Sequence, residues 1–235
     1  MAITTVLFDL DGTLLPMDQD EFIKAYFGRL TRKLIPHGYE AEKLVSTIWA
    51  GTKAMISNNG ECTNEEAFWK KFCEAFGEEA KNDLPIFDEF YATEFSKVRE
   101  VCGYNENAKK AISCVRERGF RVALATNPLF PAVATENRIS WAGLKPADFE
   151  FYTTYENSSY CKPNPAYYKE ILKKLGVGAE KCLMVGNDVG EDMVTVKLGM
   201  KVFLLTDCLI NKEGEDISKY PNGDFSKLIE FIESL

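Results

Sequence analysis

The stretch Ile3-Thr4-Thr5-Val6-Leu7-Phe8-Asp9-Leu10-Asp11-Gly12-Thr13-Leu14 decides how the rest of the chain is read. Its first part, Ile3–Leu10, is rich in β-forming residues and is bounded by Asp11-Gly12, so it predicts a strand that runs into a turn. Asp9 and Asp11 stand two apart, which on an extended backbone points them to one side while Leu10 points to the other. Outward from this stretch, short apolar runs of strand length recur at Arg121–Ala125, Phe149–Thr153, Lys181–Val185 and Lys201–Leu205. Helical patterns lie between them. One starts near Asn105 and ends at Gly119, and another has Asn164 as N-cap, Pro165 as first residue and Gly176 as stop. A third leads through Met193 to Gly199, and a fourth runs on from Asp224. Strand, helix, strand in this rhythm predicts an α/β fold, a parallel sheet with helices on both faces.

The segment from Asp18 to Lys97 breaks the rhythm. Phe22, Tyr26, Phe27, Leu30 and Leu34 recur at helical spacing, as do Leu44, Val45, Ile48 and Trp49. Phe68, Trp69, Phe72 and Phe76 follow, then Phe87, Phe90, Tyr91 and Phe95, with Thr63 and Glu66 forming a capping box before the third group. Residues 18–97 therefore predict an inserted all-helical subdomain, with 1–17 and 98–235 forming the sheet-bearing core. The aromatics read as the insert's own core rather than as a base-stacking platform.

The sequence has 235 residues, and 28 basic against 36 acidic side chains give a net charge of −8. That balance speaks against a surface built to grip nucleic acid or an anionic membrane. A hydrophobic share of 46% is ordinary for a globular protein with a full core. The N-terminus lacks the basic stretch and apolar core of a secretory signal, and no apolar run approaches a membrane span. Seven scattered cysteines without a Cys-x-x-Cys pair read as reduced thiols, so a cytoplasmic protein is expected. His37, the only histidine, lies in a turn sequence, which leaves little room for a histidine-based mechanism.

Ligands of an open parallel sheet sit in the crevice beyond the carboxyl ends of its strands. Four such ends carry polar groups here: Asp9 and Asp11 after the first strand, Thr126 and Asn127 after the second, Lys162 after the third, and Asn187, Asp188, Glu191 and Asp192 after the fourth. Three carboxylates brought together, Asp9, Asp11 and Asp188, would repel by roughly 4 kcal/mol per pair at about 4 Å and an effective dielectric of 20. A hard divalent cation relieves this, and an all-oxygen set with few protein ligands suits Mg²⁺. Thr126 offers a hydroxyl, Asn127 an amide and Lys162 a point charge for an oxyanion. Cation, anion-binding trio and carboxylate nucleophile together point to phosphoryl transfer through an aspartyl-phosphate. Each piece alone has an ordinary explanation as a turn, a cap or a solvated loop residue; their conjunction in order does not.

Phe8-Asp9-Leu10-Asp11-Gly12-Thr13-Leu14, Thr126-Asn127, Lys162-Pro163 and Gly186-Asn187-Asp188 with Asp192 resemble the four motifs of the haloacid dehalogenase-like hydrolases. The likeness spans the core, and the helical insert is similar to that family's type 1 cap on a Rossmann-like sheet. It implies Asp9 as nucleophile, Asp11 as general acid and then base, and Mg²⁺ held by the Asp9 carboxylate, the Asp11 backbone carbonyl and Asp188. It also implies Thr126, Asn127 and Lys162 as phosphate-binding residues. One departure stands out: Asn187 follows Gly186 where an aspartate is frequent. Either Asp188 takes the metal with Asp192 as acidic support behind it, or Asn187 holds the ligand position; the first keeps an anion on the cation. The expected activity is a Mg²⁺-dependent phosphatase acting on a small phosphorylated metabolite. A dehalogenase of the family would lack the second aspartate. A sugar phosphomutase would use the same residues, and a phosphorylatable receiver-like or purely binding protein is the non-enzymatic alternative. The substrate and the oligomeric state are not written in these motifs.

Overall fold

The computed structural model describes residues 2–235. Strand β1 (Thr5–Phe8) is buried along its whole length, as a central parallel strand covered on both faces must be. It pairs in parallel with β2 (Arg121–Leu124), Phe8 opposite Leu124, and with β4 (Cys182–Gly186), Phe8 opposite Val185. With β3 (Phe151–Tyr152), β5 (Lys201–Leu205) and β6 (Asn222–Gly223) this makes a six-stranded parallel sheet in the order β3-β2-β1-β4-β5-β6. The order reverses direction at β1, so the crevice for a ligand opens beyond Phe8.

Alternation along β1 sorts its side chains between two cores. Val6 and Phe8 join one apolar cluster with Leu124, Val185, Ala108, Ile112 and Leu228. These last come from α5 (Glu106–Glu117) and α8 (Phe225–Glu233). Leu7 faces the other cluster, with Met184, Tyr167, Tyr168 and Ile171, the latter three on α7 (Pro165–Leu175). Helices therefore cover both faces, as the strand–helix rhythm predicts.

Two elements differ from expectation. Met193–Leu198 is a 3-10 segment, not an α-helix, with the Thr195 hydroxyl donating back to the Asp192 carbonyl at 2.8 Å. Three β-branched residues, Val194, Thr195 and Val196, add to that preference for a tighter, shorter turn. The sixth strand, Asn222–Gly223, is two residues long and has no apolar signature to read.

Between β1 and β2 the chain builds α1 (Gln19–Leu34), α2 (Ala41–Ile56), α3 (Asn64–Phe76) and α4 (Leu84–Ala92). Thr63 and Glu66 form the expected capping box at the start of α3. The insert leaves and rejoins the core side by side, with Met17 bridged antiparallel to Cys102 and the Gly103 N–H donating to the Pro16 carbonyl at 2.7 Å. A second attachment lies at the start of α3. The fully buried Asn64 side chain donates to the Pro128 and Tyr160 carbonyls, each at 3.3 Å, and its backbone N–H donates to Ser158 at 2.8 Å. Phe22, Tyr26, Phe90 and Phe95 of the insert belong to the same cluster as Leu10 and Leu14 of the core. Among the described residues no helix is long and apolar enough to cross a membrane.

Candidate active site

The backbone leaves β1 through a tight turn in which the Leu15 N–H donates to the Leu10 carbonyl and the Gly12 N–H to the Leu15 carbonyl, both at 2.8 Å. Gly12 sits at φ +85°, and a Cβ there would stand 2.4 Å from Asn187 Nδ2. Only glycine meets both conditions. The turn places Asp9 at the crevice floor, 7% exposed. Its Oδ1 accepts from Lys162 Nζ at 2.7 Å and its Oδ2 from the Thr13 hydroxyl at 3.0 Å.

Lys162 lies between two carboxylates, donating also to Asp192 Oδ1 at 2.6 Å. Burial alone would favour a neutral amine, but Asp192 and Asp9 outweigh it and hold the ammonium well above the ordinary lysine range. Asp192 is fixed in turn: its Oδ2 accepts from the Asp188 N–H at 3.1 Å, and a Cβ on Gly186 would collide with it at 2.0 Å. Burial raises the Asp192 carboxyl while Lys162 opposes the rise.

Asp11 lines the same cavity of about 190 Å³ as Asp9. Its side chain, however, turns to the guanidinium of Arg138, on α6 (Ala132–Trp141). Arg138 is 1% exposed, lies 4.7 Å from the Phe130 ring centroid, and donates to the Ala134 carbonyl and the Thr135 hydroxyl. The other Asp11 oxygen, Oδ1, is buried with no partner among the described residues. Burial raises the Asp11 carboxyl, Arg138 opposes, and Asp9 adds to the rise. Sequence reading missed Arg138. The only signal was a cation on the face of α6 that also carries Ala134 and Trp141, at i, i+4 and i+7.

Thr126 is held from below, its carbonyl accepting from Tyr167 at 2.7 Å and from Thr153 at 2.6 Å, while its hydroxyl lies 3.5 Å from Asp11 Oδ2. The Asn127 Oδ1 accepts from the Lys162 N–H at 3.3 Å, and its amide nitrogen faces Glu191 at 3.4 Å. Asn187 is buried and engaged at both ends: its Oδ1, 2.9 Å from the Thr13 hydroxyl, shares that single proton with Asp9 Oδ2, and its amide donates to the Cys208 carbonyl at 2.7 Å. Asp188 is half-buried at the cavity wall, with Oδ1 accepting from the Gly190 and Glu191 N–H groups.

Asp9, Asp11, Thr126, Asn127, Asp188 and Asp192 thus line one cavity, with Lys162 beneath Asp9. Asp9, Asp11 and Asp188 meet at this cavity with their carboxylates separately engaged: Asp11 pairs with Arg138, and Asp188 caps its own turn. Among the described residues no three acidic, histidine or cysteine side chains are spaced to hold an ion by themselves. A cation would draw on two carboxylates and backbone oxygen, with water completing its shell. The charge balance fits that arrangement. Five carboxylates (Asp9, Asp11, Asp188, Glu191 and Asp192) line the cavity against two buried cations, and the Asp11 Oδ1 remains an unpartnered acceptor.

A second cavity, of about 120 Å³, opens toward the helical insert. Ile23, Leu129 and Phe130 belong to the walls of both, so the two adjoin. Its other walls include Trp49, Phe68, Trp69, Phe87 and Tyr91 from the insert and Tyr155 from the core.

The chain is 26% identical over 188 residues to the pyrophosphatase PpaX of Bacillus cereus, covering 80% of this chain and 76% of that one. It is 25% identical over 231 residues to a phosphoglycolate phosphatase of Colwellia psychrerythraea, covering 98% and 96%. The crystal structure of a 2-haloacid dehalogenase from Pseudomonas syringae superposes with a TM-score of 0.65 at 18% identity, covering 99% of both chains, which speaks to the fold alone. The family model of the haloacid dehalogenase-like hydrolases matches residues 3–197, from the first strand through the Asp192 loop. That model covers well over half of the chain, so the chain belongs to the haloacid dehalogenase-like hydrolases.

Proposed function

We propose that the protein hydrolyses a small phosphate monoester through a covalent phosphoryl group on Asp9. The observation that carries this reading is the buried Asp9 carboxylate at the crevice floor, held by Lys162 and by Thr13. An Asp9 oxygen attacks phosphorus, the ester P–O bond breaks, and Asp11 gives its proton to the departing oxygen. Asp11 then takes a proton from water as that water attacks phosphorus, the bond to Asp9 breaks, and inorganic phosphate leaves with the carboxylate restored. Lys162 meets the negative charge on the phosphoryl oxygens, and the Thr126 hydroxyl and Asn127 amide supply neutral donors beside it. The Asp9 and Asp188 carboxylates with the Asp11 carbonyl would hold Mg²⁺, which supplies positive charge against the phosphoryl oxygens when bound. Two carboxylates and several waters are its usual shell, and the acidic excess of the cavity supports it.

The presence of Asp11 supports ester hydrolysis over dehalogenation, which needs no proton carrier at this position. A phosphomutase would have to hold a second phosphate in the insert's cavity, whose walls carry no lysine, arginine or histidine among the described residues. None of the seven cysteines is paired with another, which fits a cytoplasmic site of action. The test is phosphate release from a generic monoester. Activity should vanish on chelation and return with Mg²⁺, while Ca²⁺, with its looser and higher coordination, should restore little of it. Full turnover in excess chelator would overturn the metal assignment.

A further inference from the structure

We infer that the ester carries one uncharged, ring-sized apolar group that seats among the aromatics of the helical insert, and no second anionic group. This rests on the reading of Asp9 as the phosphoryl acceptor, because that fixes which end of the substrate lies at the floor. A phosphoryl group on Asp9 leaves the rest of the molecule facing Ile23, Leu129 and Phe130, the side chains that the two cavities share. Beyond them the walls include Trp49, Phe68, Trp69 and Tyr91, with a volume of about 120 Å³. A closed apolar cavity of about 150 Å³ takes benzene, so the smaller volume here sets one ring as the upper limit of size.

Charge decides against a second anion. The one ionisable wall residue outside the tyrosines is Asp88; burial raises the Tyr155 phenol, the Trp69 hydrogen bond opposes, and Glu65, Glu156 and Asp88 add to the rise. A carboxylate or second phosphate would be stripped of water there, facing carboxylates and no cation. The hydroxyls of the wall and the Trp69 indole pair within the protein: the Tyr26 and Tyr91 hydroxyls bond each other at 2.9 Å, the Thr52 hydroxyl donates to the Ile48 carbonyl at 2.9 Å, and the Trp69 N–H has the Tyr155 hydroxyl as its partner.

The test pairs turnover with binding. With Mg²⁺ present, kcat/KM for benzyl phosphate should exceed that for phosphoglycolate and for pyrophosphate by at least tenfold. Calorimetry should show benzylphosphonate, which cannot be hydrolysed, binding at least tenfold more tightly than phosphonoacetate. Equal or better handling of the doubly anionic compounds overturns the inference, and so does a preference for phosphocholine, which would make the aromatic walls a seat for a cation. If no ester is turned over while benzylphosphonate still binds the more tightly, the hydrolytic reading fails and the assignment of the cavity stands.

Discussion

The floor and the ceiling of the crevice are built on opposite principles. At the floor Lys162, Asp9, Asp192, Thr13 and Asn187 form an unbroken chain of hydrogen bonds, with distances from 2.6 to 3.0 Å. Its glycines, Gly12 and Gly186, leave no room for a Cβ. Above it, aromatic rings meet edge to face, as Trp69 and Phe87 do at 5.3 Å. A buried polar network tolerates no missing member, whereas an apolar wall can be reshaped with modest loss. The floor therefore fixes which bond is broken, and the ceiling is free to choose what that bond is attached to.

The sharpest way to break this contrast is at the nucleophile. Asp9→Asn should lose turnover by on the order of 10⁴-fold or more and abolish labelling of the protein by a phosphoryl donor. Label appearing on another residue would remove Asp9 from its role. Lys162→Met should lower kcat/KM by on the order of 10²–10³-fold through the lost phosphoryl contact. Because it also leaves Asp9 and Asp192 buried without their cation, denaturant unfolding should show a loss of about 3–5 kcal/mol. Unchanged activity would make Lys162 a structural residue.

Arg138 lies one step further from the reacting atoms and acts through Asp11. Arg138→Gln should slow hydrolysis of an alkyl phosphate by roughly tenfold, about 1.4 kcal/mol. Phosphorylation of Asp9 by an acyl phosphate, whose leaving group needs no proton, should be spared. Equal losses on both substrates would mean that Arg138 only holds the fold. The smallest effect belongs to the insert's framework. Thr63→Ala removes a capping box remote from the chemistry, costing about 1 kcal/mol of stability with kcat/KM within a factor of two.

How much of this could be read from the sequence differs between the two regions for a physical reason. The floor was legible because its residues come in short runs at strand ends: Asp9 and Asp11 precede a glycine that the turn demands, and Asn127 precedes a proline. Asn164, Pro165 and Gly176 marked α7 to the residue for the same local reasons. Arg138 was not legible, because its partner Asp11 lies 127 residues away and no spacing rule links them. Nor could the sequence separate Asn187 from Asp188; their different burial depends on the Thr13 hydroxyl and the Cys208 carbonyl reaching the former. The aromatics of the insert were read as its core, which holds for Phe72, Phe90 and Phe95, all fully buried. Helical periodicity does not say that Trp49, Phe68 and Trp69 also wall a cavity, since that depends on what packs opposite.

The two attachments of the insert carry a mechanical consequence. A rigid body held at two separated points keeps a single rotation, about the line that joins them. Here the points are the Met17–Cys102 bridge and the buried Asn64 side chain, which grips the Pro128 carbonyl, next to Asn127, and the Tyr160 carbonyl, two residues before Lys162. A swing of the helical insert about that line would spare both attachments, but it would part Phe22 and Tyr26 from Phe130 and break the bond from the Asn137 amide to the Tyr91 carbonyl. The seam opened in this way is walled by Tyr26 and Phe130, which also line the second cavity.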